Sequence, residues 1–202
     1  MDRSTERLVA GAAIVFPILH SGTDVMEWAQ GGFAPLQLWL NYVAFLPVPA
    51  IVLGLYAAQR PRISRWGLFG AILYGFAFVY FTHTTLYALA TRAATYEDLW
   101  AVLGRTYTLH GAVMVLGGAA FGLATFRARI LPRWTCVLFL VGIGLNLVLT
   151  LLPVPDLLQT LGTAMRNAGL VGMGGGLVRT KSVQEEPSHS VGLRGRPTGS
   201  KT

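Results

Sequence analysis

The sequence predicts an all-α, polytopic membrane helical bundle of about six transmembrane helices with both termini on the cytoplasmic side, and three observations carry that prediction. Of 202 residues, 53% are hydrophobic and only 12% charged, with a mean hydropathy of +0.53. A soluble domain of this length keeps about a quarter of its residues charged to wet its surface. The apolar residues also fall in runs of about twenty, which at ~1.5 Å per residue cross a hydrocarbon core of about 30 Å. Finally, the basic residues collect in alternate connections, as expected when loops rich in arginine stay on the cytoplasmic side.

The first span is Leu8–Trp28, preceded by Arg3 and Arg7. A basic start before an apolar run also describes a secretory signal. Asp2 and Glu6 share that start and no small-x-small cleavage pattern follows, so the segment reads as a span. The second, Pro35–Ala58, holds Pro47 and Pro49; these, like Pro17 in the first, should bend the helix and free backbone carbonyls for neighbouring helices to satisfy. The third is Trp66–Ala90, where Ala71 and Gly75 have the four-residue spacing that lets helix backbones approach.

The fourth span, Thr106–Phe126, repeats that spacing at Gly118 and Gly122. Ahead of it, Thr95-Tyr96-Glu97-Asp98 reads as a helix start, with Thr95 as N-cap and acidic residues in the first turn, so this helix should begin outside the bilayer. The fifth is Trp134–Pro153. The sixth, Leu157–Val178, is the least apolar: it contains Gln159, Arg166 and Asn167 and ends in Gly172, Gly174, Gly175 and Gly176. A half-buried surface helix followed by a short re-entrant piece is the alternative there. The organisation is thus one six-helix transmembrane domain over residues 1–178 and a polar, Gly/Pro/Ser-rich tail, 179–202, expected to be a disordered cytoplasmic segment.

Topology follows from the charges. Thirteen of the sixteen basic residues lie on one side in a six-span scheme, with Arg92 and Arg105 on the other and Arg166 inside the last span; five spans would strand the basic tail outside. Trp28, Trp39, Trp66, Trp100 and Trp134 lie near span ends, where the indole prefers the headgroup layer. The net charge of +7 and pI near 10.1 would suggest nucleic acid in a soluble protein. Here they record topology, so the expected partner is the lipid bilayer, with other membrane subunits as a further prospect and no nucleic acid. The single cysteine, Cys136, excludes an intrachain disulfide and reads as a packing residue. Leu-Pro-Val-Pro occurs at Leu46–Pro49 and Leu152–Pro155, once in a span and once in a loop, which does not match an internal repeat.

Ionisable residues inside spans are costly and therefore mark candidate sites. On span one, His20, Asp24 and Glu27 are spaced four and three apart, which sets them on one helical face near the outer end. His20, His83 and His110 come out roughly 12, 10 and 6 Å below the outer surface at the helical rise, a single layer given the boundary errors. Three imidazoles at one level suit a metal ion, and two of them suit haem as axial ligands; His83 and His110 are the cofactor-binding candidates. Asp24 and Glu27 are the candidate catalytic groups, as ligand or proton acceptor. Tyr80, Tyr107 and Arg166 are candidate substrate contacts, and Thr82, Thr84, Thr85, Asn41 and Asn146 are candidates to orient the ligating residues. Arg166 would pair with Asp24 or Glu27, or snorkel.

No His-Glu-x-x-His, P-loop, Gly-x-Ser-x-Gly or paired-cysteine motif is present. Three function classes follow. The first is a metal or haem pocket in the outer leaflet that hydrolyses an amphiphile or transfers electrons. The second is a non-catalytic accessory subunit of a larger membrane complex. The third is a proton-coupled carrier working through Asp24, Glu27, His83 and Arg166, for which the apolar inner halves offer no second half-channel.

Overall fold

The computed structural model describes residues 1–150 and 156–182, and among them every regular element is an α-helix. In order these are α1 (Arg3–Gln30), α2 (Pro35–Phe45), α3 (Val48–Ala58), α4 (Arg65–Thr91), α5 (Tyr96–Ala128), α6 (Arg133–Thr150) and α7 (Asp156–Ser182). Among the described residues four stretches, Arg3–Gln30, Pro35–Ala58, Arg65–Thr91 and Tyr96–Ala128, are long and apolar enough to cross a membrane.

The helices form a closed ring. Each packs on its neighbours in chain order, with α2 and α3 sharing one place between α1 and α4, and α1 meets α7 to close the circle. Small residues set the approach distances. Gly70 and Gly117 bring α4 and α5 into backbone contact, Gly118 and Gly122 admit Ile143 and Leu140 of α6, and Gly75 admits Pro49 of α3. The interior between them is filled by Ile51, Leu55, Tyr74, Phe121, Phe139 and Met173, each at most 2% exposed. Cys136 is fully buried, a packing residue.

The prolines act unequally. Pro17 lies within one continuous helix, α1. At Pro47 the second apolar segment breaks instead into two helices of 11 residues, capped by Leu46 and started at Pro47. Thr95 does open α5: its hydroxyl accepts from the Asp98 N–H and the Asp98 carboxylate accepts from the Thr95 N–H at 3.0 Å, a reciprocal capping box. The 33-residue helix then bends at Gly104, whose φ of 47° and ψ of −123° suit only glycine.

The glycine run of α7 is not a re-entrant loop. It is continuous helix to Ser182, with Gly172 against Thr135, Gly174 against Ala10 and Ala13, and Gly176 against Pro132. Residues 179–182, expected in the tail, therefore belong to α7; the rest of the tail and the second Leu-Pro-Val-Pro lie outside the described residues. One end of the ring gathers Arg3, Arg7, Arg60, Arg62, Arg65, Arg127, Arg129, Arg133 and Arg179. At the other, the α1–α2 and α4–α5 loops are joined by the Phe33 N–H donating to the Ala94 carbonyl at 2.7 Å.

Candidate functional site

The buried face of α1 runs Ala10, Ala13, Pro17, His20, Thr23, at the three- and four-residue spacing that keeps one side of a helix inward. That spacing delivers His20 to the interior, where its ring meets Phe45 and Phe78 edge-on at centroid distances of 4.6 and 6.3 Å. One turn on, Asp24 Oδ1 stands 3.6 Å from His20 Nε2. Thr23 donates to the His20 carbonyl at 2.7 Å and lies 3.2 Å from Asn41 Oδ1 of α2. A further turn outward, Glu27 accepts from Gln37 Nε2 at 3.3 Å and lies within electrostatic reach of the Tyr96 phenol.

Arg166 of the adjacent helix α7 enters the same layer, and it is only 3% exposed. Helices α6 and α7 touch there, since Gly142 sits directly against the Arg166 backbone. The guanidinium Nη1 is 3.3 Å from the Met114 sulfur and Cζ is 5.7 Å from the Phe78 ring centre. Among the described residues no carboxylate lies within 4 Å of it, and its Nε has no hydrogen-bond partner. The expected pairing with Asp24 or Glu27 is therefore not made, and a buried Arg166 does not snorkel. Its charge is nevertheless within electrostatic reach of His20, Asp24 and Tyr74. The Tyr74 hydroxyl, fully buried, also lacks a partner. Beside this group Asn167 donates to Ser21 at 3.0 Å, tying α7 to α1.

The histidines part company. His83 is exposed, and His110 sits on the seam between α4 and α5, stacked on Tyr80 at 3.6 Å and 10° and on Phe76 at 5.7 Å. Phe76 is 56% exposed, so this seam lies on the outer surface of the ring while His20 lies within it. Among the described residues no three His, Cys, Asp or Glu side chains gather where they would hold a metal ion. The expected set of His20, His83 and His110 is not brought together: His20 faces the interior, while His83 and His110 lie on outer faces. His110 Nδ1 is 2.7 Å from the Thr106 carbonyl, its own helix one turn back.

Of the expected substrate contacts, Arg166 is central, Tyr107 borders the carboxylates, within electrostatic reach of Glu27 and Asp24, and Tyr80 stands on the outer seam. Thr82, Thr84 and Thr85 donate to the carbonyls of Phe78 and Phe81 on their own helix, so they orient nothing across the bundle. Asn146 Nδ2 reaches Thr163 at 3.5 Å. Sequence reasoning missed Gln37, Tyr74 and Met114. Gln37 stands two residues from a span start and reads as a boundary residue; Tyr74 and Met114 read as ordinary core.

The layer thus offers one permanent cation, two carboxylates and several neutral donors within an otherwise apolar ring. Such a set can recognise a charged molecule, and it holds no Ser or Cys nucleophile paired with a base. In comparisons with known proteins, no family model, no curated protein and no solved structure matches the chain.

Proposed function

We propose that this chain is a six-span membrane protein, N-terminus and C-terminus cytoplasmic, whose interior polar layer binds a small molecule bearing an acid group and admitted from the non-cytoplasmic side. The arginine-rich end of the ring is the basis for the orientation. The observation that carries the binding function is Arg166. A guanidinium held in an apolar interior against a thioether and a phenyl ring, with a free Nε and no carboxylate in contact, has a cost that a bound anion would offset. Its planar fork matches a carboxylate or a phosphate.

Beneath this layer the core is mostly apolar, with Phe121, Phe139, Ile51 and Leu55 closing the ring before the buried Gln59–Thr125 pair. A polar layer that ends there supports binding and sensing rather than passage. The test is thermal unfolding of the purified protein with acetate, benzoate or inorganic phosphate. Acids should raise the unfolding temperature of the wild type and leave Arg166→Gln unmoved. No shift in the wild type, or equal shifts in both proteins, would remove the proposal.

A further inference from the structure

Resting on that reading, we infer that the ligand is a zwitterion, its acid group on Arg166 and its protonated amine on Asp24. A guanidinium and a carboxyl group share this buried layer and do not meet. Arg166 has no carboxylate within 4 Å among the described residues, although its charge reaches Asp24. Asp24, with a side chain 13% exposed, has His20 at 3.6 Å as its one ionic contact within 4 Å among those residues. In a low-dielectric interior such charges attract strongly and close on each other unless something holds them apart. Here the guanidinium lies against Phe78 and Met114, and Asp24 lies beside His20 on its own helix, so the two ends stay apart.

A molecule carrying both signs completes both ends at once. Its acid group would take the unpartnered Nε edge of Arg166, and an N–H of its amine would donate to Asp24. Glu27, one turn outward, is held by Gln37 and sets a negative wall on the amine side. That wall disfavours a second acid group and selects against dianions. Free amino acids have this chemistry, and so does the phosphoethanolamine headgroup of a lipid. For the lipid, an apolar groove of about 370 Å³ adjoins the site, lined by Ile18 and Ser21 of α1, Trp134 of α6 and Asn167 and Val171 of α7, where an acyl chain would lie.

The experiment uses the full chain in phosphatidylcholine nanodiscs, whose quaternary headgroup offers no N–H to Asp24. Unfolding temperature is titrated with glycine, β-alanine and phosphoethanolamine, with acetate and ethanolamine as single-charge probes, and repeated without additive in phosphatidylethanolamine nanodiscs. A zwitterion should bind at least about tenfold more tightly than acetate, and Asp24→Asn should abolish that advantage while keeping acetate binding. Asp24→Glu, which retains the carboxylate on a longer arm, should shift preference towards the shorter zwitterion, glycine, and reads the same contact if Asp24→Asn fails to fold. Stabilisation by soluble zwitterions points to a free ligand, and stabilisation by phosphatidylethanolamine alone points to the lipid. If acetate binds as tightly as every zwitterion through Arg166, this inference falls and the acid-binding site stands. If no probe or bilayer gives Arg166-dependent stabilisation, both fall.

Discussion

The guanidinium carbon of Arg166 on α7 lies 5.7 Å from the centre of the Phe78 ring on α4, while its Nε has no partner. A desolvated cation over an aromatic face gains about 2 kcal/mol, less than the several kcal/mol that burying a charged group costs after relaxation. Arg166 is therefore a net burden on the stability of the bundle. Arg166→Met, similar in length and apolar, is expected to unfold at the wild-type temperature or a few degrees above it, as replacement of buried charges by apolar side chains often gives a gain of about 1–4 kcal/mol. Circular dichroism melts would check this. A clear loss of stability would mean that the guanidinium holds the bundle together rather than serving a ligand.

Why the fold was more legible than the site is visible on α4. Apolar length is a property of a segment, and it survives errors of a few residues, so the long helices were readable. Direction is a property of single residues. The buried positions Ala71, Tyr74, Gly75, Phe78, Thr82 and Thr85 define the inward stripe, and His83 falls one residue off it, about 100° around the helix. Depth alone could not show this, because a residue turned to lipid and one turned inward share the same height. On α1 the spacing within one helix was enough, and His20 and Asp24 are adjacent as read. Arg166 was visible as an anomaly, but its missing partner depends on how α7 sits against α1, α5 and α6, which no local pattern encodes.

Orientation can be checked with single cysteines, because the native Cys136 is fully buried and gives little background. Arg62 in the α3–α4 turn and Glu97 at the start of α5 are both exposed and lie at opposite ends of the ring. With an impermeant maleimide added to intact cells, Glu97→Cys is expected to label and Arg62→Cys to label only after lysis. The reverse pattern would invert the proposed topology.

Close approach between α4 and α5 depends on Gly70, where a Cβ would collide with the backbone of Gly117 and Phe121. Backbone atoms cannot step aside as a flexible side chain can. Gly70→Ala is expected to destabilise by roughly 1–3 kcal/mol, in the range of overpacked cores. Gly22 on α1 has open space around it, so Gly22→Ala should be neutral or stabilise by about 0.5–1 kcal/mol through helix propensity. Paired melts of the two variants would separate packing from propensity.

The divergence of the histidines makes a metal prediction with a definite sign. His20 is buried inside the ring and His83 lies exposed on α4. His83→Ala and His110→Ala are expected to leave the zinc content of the purified protein unchanged, within error of the wild type, by elemental analysis. Loss of one stoichiometric metal ion in either variant would require a rearrangement that brings ligands together.

The bend at Gly104 links backbone conformation to the carboxylate wall. Its φ of 47° with ψ of −123° is open to glycine and strained for any residue with a Cβ. Before the bend, the first turns of α5 carry Tyr96 within electrostatic reach of Glu27, while the Trp100 indole donates to Thr108 across it at 3.2 Å. Gly104→Ala is therefore expected to destabilise by about 1–3 kcal/mol and to shift Trp100 fluorescence as the two arms of α5 realign. Loosening Tyr96 would also weaken the negative wall, so discrimination against dianions such as succinate should fall in this variant while acetate still binds. Thr108→Val removes the indole's acceptor without touching the backbone; it should change the fluorescence and leave that discrimination intact. If both variants lose it equally, the indole contact rather than the glycine bend places Tyr96.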